Sequence, residues 1–173
     1  MRKVVLVLAC VVMIVPTACM QPPLKPQPPK STLTQEEKDG FKAAWGPAAR
    51  LLLGVGNGVK DWDRDGTREG VELFVRLLDA NAASTKRAGG FLFEVYSYSF
   101  DTISHKGDLL AGWSVDASKA IGLWESGLRP GYRFRFSWPG EPPKGRLALL
   151  YITFTDTEGG EVRLEAAPLK LPE

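Results

Sequence analysis

The chain has 173 residues, with 22 Lys and Arg against 20 Asp and Glu, one His and two Cys. A near-neutral balance without a long basic block excludes a nucleic-acid footprint. The single His105 and the confinement of both Cys to positions 10 and 19 exclude a His- or Cys-built zinc site and a disulfide in the rest of the chain.

The first residues carry a targeting signal. Arg2 and Lys3 precede an unbroken apolar run from Val4 to Val15. As a helix that run would span only ~18 Å, short of the ~30 Å hydrocarbon core. It therefore reads as a signal peptide over 1–18. Thr17 and Ala18 lead into Cys19, which resembles the lipobox of bacterial lipoproteins, with Pro16 where Leu is usual. The resemblance implies cleavage before Cys19 and lipidation of its thiol, which would anchor the chain in a membrane. Met20 follows, and not the Asp that retains such proteins at the inner membrane in enteric bacteria. By that analogy the expected address is the cell envelope, with the outer membrane favoured. Loss of Arg2 and Lys3 with the signal leaves equal numbers of basic and acidic residues.

A tether follows. Five of the ten residues from Gln21 to Lys30 are Pro, the composition of an extended polyproline II spacer. The lipidated Cys19 and this linker occupy 19–33. Thr34 with Glu37 three residues later has the pattern of a capping box, so 34–46 is expected to be a short helix or lead-in, with Gly40 weakening it.

From 47 to 173 the period becomes two. AARLLLGV is a candidate strand ended by Gly56-Asn57-Gly58. GVELFVRLLDA follows, with Val71, Leu73, Val75 and Leu77 on one face. GFLFEVYSYSF and LLAGWSVD are further strands, and DASKAIGLWESGL is ambiguous between helix and strand. GYRFRFSW alternates aromatic and basic residues. RLALLYITFTD and EVRLEAAPLKL form a hairpin around Thr157 to Gly160. Seven or eight strands with almost no helix predict an all-β antiparallel sandwich.

The succession of Trp45-Gly46-Pro47, an Asp-rich turn, GVELFVRLLDA, LLAGW, GLWESGL and GYRFRFSWP resembles a group of small envelope lipoproteins of planctomycete-like bacteria. The resemblance covers Trp45 to Leu171. It implies an immunoglobulin-like or a calcium-and-lipid-binding-like sandwich and an envelope address, and it implies no activity.

One stretch carries the spacing of a calcium loop: DWDRDGTREGVE, Asp61 to Glu72. Calcium takes six to eight oxygens at ~2.4 Å. Asp61, Asp63 and Asp65 would supply carboxylates and Gly66 the sharp bend. Thr67 would offer its carbonyl, Glu69 a water-mediated contact and Glu72 a bidentate carboxylate. Arg68 stands where an apolar residue is usual, and a strand pattern follows in place of a helix. An acidic turn without metal is the competing reading.

No catalytic set is expected. His105 has Ser104, Asp101 and Asp108 as sequence neighbours only, which rarely gives triad geometry. The five Trp and four Tyr suit a sandwich core, with a sugar-stacking platform as the alternative. The sequence therefore points to a lipid-anchored, non-enzymatic binding or assembly protein with an envelope protein or glycan as partner. A carbohydrate-binding module and an envelope hydrolase are the alternatives. Metabolic labelling with an alkyne fatty acid is expected to tag the wild-type chain and to lose the tag in Cys19→Ala. Label that persists in the variant would remove the lipid anchor.

Overall fold

The computed structural model describes residues 33–145 and 147–171; the signal segment, Cys19 and the Pro-rich linker lie outside the described residues. Helix α1 covers Gln35–Ala44 and starts where Thr34 and Glu37 predict. The Thr34 hydroxyl accepts the Glu37 N–H at 3.3 Å, and the Glu37 carboxylate accepts the Thr34 N–H at 2.9 Å. Among the described residues no helix is long and apolar enough to cross a membrane.

Nine strands follow: β1 (Arg50–Leu53), β2 (Gly58–Lys60), β3 (Gly70–Leu78), β4 (Gly89–Tyr98), β5 (Lys106–Val115), β6 (Trp124–Glu125), β7 (Gly131–Ser137), β8 (Leu147–Asp156) and β9 (Glu161–Lys170). One short helix, α2 (Ala117–Gly122), lies between β5 and β6, capped by the Asp116 carboxylate on the Lys119 N–H. It resolves the ambiguous DASKAIGLWESGL stretch into a helix followed by a two-residue strand.

Two antiparallel sheets form a sandwich. One has the order β1-β3-β7-β6, with β2 also on β3, and the other β5-β4-β8-β9. β1 and β2 are one strand interrupted at Gly54 to Asn57, since both pair antiparallel with β3. Across the gap the Asn57 amide oxygen accepts the Phe74 N–H and its NH2 donates to the Gly54 carbonyl, so a side chain replaces the missing ladder bonds. With β1 and β2 counted as strand A, the orders become A-B-E-D and C′-C-F-G. That is the immunoglobulin-like arrangement, with one added strand beside C.

The core follows from alternation. Val71, Leu73, Val75 and Leu77 are fully buried, as their shared face predicts. They meet Phe91, Phe93 and Val95 of β4, Tyr132 and Phe134 of β7, and Ile152 and Phe154 of β8. Phe91 lies centrally, with ring centroids 5.1 Å from Tyr132, 4.9 Å from Phe134 and 4.9 Å from Phe154. The Tyr132 hydroxyl donates to the Arg87 carbonyl and accepts the Arg87 N–H, both at 2.9 Å. One side chain of β7 thus satisfies both backbone groups of a buried residue in the β3–β4 connection. Burial pushes the Tyr132 hydroxyl well above the ordinary tyrosine pKa, although the Arg87 backbone bond and charge work against it.

Tyr132→Phe keeps the ring and orphans the Arg87 N–H and C=O. It is expected to destabilise the domain by about 1–3 kcal/mol, read as a lower urea midpoint with an unchanged slope. A loss below about 0.5 kcal/mol would show that the bond is dispensable.

Candidate functional site

The Asp loop joins β2 to β3, so it closes the hairpin of the first two strand segments. It lies at the start of β3, while the lead-in through Trp45 and Gly46 packs beside the end of β3. There the Thr85 hydroxyl donates to the Gly46 carbonyl at 2.7 Å and Arg87 to the Trp45 carbonyl at 3.4 Å. At ~3.4 Å per residue, β3 separates these two poles by about 30 Å.

The loop folds on its own carboxylates. Asp61 accepts the Arg64 N–H at 2.6 Å with one oxygen and the Gly66 N–H at 3.0 Å with the other. Asp63 accepts the Asp65 N–H at 3.1 Å, and Asp65 the Thr67 N–H at 2.7 Å. Glu69 reaches back to the Trp62 N–H at 2.8 Å. Two tight bends are needed, and the chain makes them with Gly66 at φ 93° and Arg64 at φ 66°. Such successive Asx turns are what alternating Asp residues favour.

These turns draw Asp61, Asp63, Asp65 and Glu69 together. One carboxylate oxygen from each lies within 4.8 Å of the others. Glu69 sits half-buried, and its Oε1 is enclosed with no hydrogen-bond partner among the described residues. The electrostatics are unbalanced. Asp63 gains from the Asp65 N–H, which favours its ionised form. Desolvation, a hydrogen bond with Glu69 and the charges of Asp65 and Glu69 outweigh that gain, so its pKa lies above the usual Asp value. The Thr67 backbone and side chain, with Asp63, hold Asp65 below that value.

Glu72 requires a correction. The expected bidentate ligand at the twelfth place is not in this group. It lies on the outer face of β3, opposite Arg135 in register. Its two oxygens accept from Arg133 Nη1 and Arg135 Nε, each at 2.9 Å. The chain is already a strand at Gly70, so its alternation turns residue 72 outwards, as the flanking period predicts. Glu69 faces the carboxylate group instead. Thr67 takes part through its N–H on Asp65. Arg68, which stands where an apolar residue is usual, extends to the Val59 carbonyl at 3.5 Å and pairs with none of these carboxylates among the described residues.

Trp62 closes the loop against the sandwich. A Cβ on Gly70 would fall 1.9 Å from the Phe136 carbonyl oxygen and 2.5 Å from Trp62 Cη2, so Gly70 admits both the neighbouring strand and the indole. The Glu69 carbonyl accepts the Trp138 N–H at 3.0 Å, which fixes the end of the loop to the residue after β7.

The other candidates disperse. Trp113 stacks on Phe136 at 4.9 Å and Trp138 is buried. Trp45 and Trp124 touch at 6.0 Å but are tilted by 58°, so they offer no common plane to a sugar ring. His105 stacks on Tyr98 at 4.9 Å, with Nδ1 3.1 Å from the Ser99 carbonyl. Among the described residues no hydrogen bond joins it to Ser104, Asp101 or Asp108.

One feature escapes sequence reasoning. A groove of about 290 Å³ lies between Gly122–Glu125 and Arg133–Phe136. Its only signal in the sequence is the alternation of Arg133 and Arg135 with Phe134 and Phe136.

No family model matches the chain, and no curated protein is similar enough to it to count as a relative.

Proposed function

We propose that this is a lipid-anchored, non-enzymatic sandwich protein of the cell envelope, acting in binding or assembly, with a structural calcium ion in its Asp61–Glu69 loop. The observation that carries the metal is the convergence of four carboxylates that pair with no Lys or Arg among the described residues. Like charges this close raise one another's pKa, and a proton or a cation relieves them. Oxygen-only donors suit a hard cation. Asp61, Asp63, Asp65 and Glu69 would hold it, with backbone carbonyls and water completing six to eight ligands. The ion would fix the distal pole of the domain, away from the tether. Extracellular modules use such weak sites because free calcium outside the cytosol is high enough to fill them.

Calcium titration by calorimetry is expected to give one site, with a Tm that rises and saturates. At about a hundredfold excess over Kd the gain is about 2.7 kcal/mol, on the order of 10 °C for a domain of this size. No heat and no shift at millimolar calcium would remove the metal from the reading.

The pH dependence has a definite sign. A raised folded pKa for Asp63 means that the metal-free domain is relatively more stable below the unfolded Asp value of ~3.9. That contribution is lost as pH rises through the folded value. Asp63→Asn is therefore expected to raise Tm at pH 7 in EGTA and to lower it in calcium. The same sign in both buffers would contradict a cation at this site.

A further inference from the structure

We infer that the free edge of β7 is a docking site for an extended segment of a partner protein that alternates acidic and apolar side chains and adds to the sheet as a strand. The site is separate from the Asp loop and does not depend on calcium.

β7 runs seven residues, but β6 pairs only with Gly131 and Tyr132. The Arg133 N–H still reaches the Leu123 carbonyl at 2.9 Å. Antiparallel strands turn the backbone groups of every second residue to the same side. Arg135 and Ser137 therefore present theirs on the β6 side. The Ser137 carbonyl accepts Trp113 Nε1 at 3.0 Å, so the lower end of the edge is covered. The Arg135 N–H and C=O have no strand beside them among the described residues. α2 and Leu123 diverge from β7 here and leave the groove of about 290 Å³. An added segment would take the place that a longer β6 would fill.

Both edges of the other sheet are guarded. β9 carries a register shift, Ala166 at φ 54° and Pro168. β5 has two register shifts and bears Lys106 and Asp108. Bulges, Pro and charges are the devices that keep edge strands unpaired. β7 has no bulge and no Pro at this edge, and its two charges, Arg133 and Arg135, are of one sign and sit on the outer side of the groove.

The side chains specify the occupant. Arg135 remains 66% exposed and gives only its Nε–H to Glu72. Its terminal N–H groups have no partner among the described residues. Arg133 is braced by Glu72 and by Glu125 at 2.7 Å, which keeps both guanidiniums on the outer face beside the edge. Leu123 and Phe136 are the apolar side chains that line the groove with Phe134 and Trp124. A strand laid on β7 would place one set of alternate side chains by Arg135 and the other by Leu123 and Phe136. Carboxylates match the first set and aliphatic groups the second, and main-chain bonds hold both in register.

The test uses the full-length chain in detergent, labelled for amide NMR, and a short capped peptide alternating valine and glutamate. Saturable shifts are expected at the amides of Arg133 to Ser137. N-methylation of alternate peptide amides should abolish them without touching the protein fold. Arg135→Glu, or lysine in place of the peptide glutamates, should weaken binding by about tenfold or more. The proposal is overturned if β7 amides do not respond at millimolar peptide, or if the lysine peptide binds equally. It is also overturned if the same amides shift when the protein alone is concentrated, since a second copy would then fill the edge.

Discussion

The fold depends on one aromatic contact between the sheets. In antibody-type domains a disulfide between strands B and F, packed under a Trp of strand C, pins the two layers. The domain described here has no cysteine at all. Phe91 of strand C takes that central place, against Phe154 of strand F and Tyr132 and Phe134 of strand E. Tilted rings at about 5 Å are favourable beyond the area they bury. The aromatic pin also does what a disulfide could not, because the Tyr132 hydroxyl extends it into the β3–β4 connection. Packing and backbone hydrogen bonding are thus joined in one residue, which fixes where β4 starts and hence the register of the second sheet.

Period two made most of this legible. The inward faces of β3, β7 and β8 are the alternating positions that the sequence marks, and the capping box placed α1 to the residue. Local pattern failed where tertiary neighbours decide. Phe74 and Leu78 lie on the outer face of β3, yet they are buried. The chain crosses Phe74 so closely that a Cβ on Gly54 would fall 2.3 Å from its ring, and the Arg133 guanidinium lies 5.1 Å above it. β2 was hidden because Gly56-Asn57-Gly58 reads as a turn, whereas Asn57 keeps the ladder going with its side chain. β6 is two residues long and has no period to read.

The Asp loop shows how a motif and its context divide. Spacing alone brought Asp61, Asp63 and Asp65 together, because alternating Asx turns point their carboxylates inwards whatever follows. The last ligand place depends on the following element. In a helix the twelfth residue swings back to the loop. In a strand it alternates outwards, where Arg133 and Arg135 claim it. Glu69, the last residue before the strand, can still bend back. The Arg133–Glu72–Arg135 chain was readable once β3 and β7 were paired, but the pairing itself was not in the local sequence.

The two poles of the sandwich differ in how their charges are met, and this singles out the Asp loop. At the pole where the lead-in packs, buried Arg87 has Asp156 at 3.6 Å, Glu158 at 3.8 Å and the Trp45 carbonyl at 3.4 Å. A buried guanidinium is tolerated only with such partners, and here they tie the lead-in, the β3–β4 connection and the β8–β9 turn into one knot. The lead-in at Trp45 and Gly46 is therefore tied to both sheets. At the far pole four carboxylates converge, and among the described residues their partners are backbone N–H groups with no Lys or Arg. The Asp65 N–H favours ionised Asp63, but desolvation and the neighbouring Asp65 and Glu69 together raise its pKa. The charge that remains is met by solvent, by a proton or by a bound cation. The Arg87 pole carries its own acidic partners, with only the Arg87 Nε left without one among the described residues, whereas the four carboxylates of the Asp pole pair with no basic side chain among those residues.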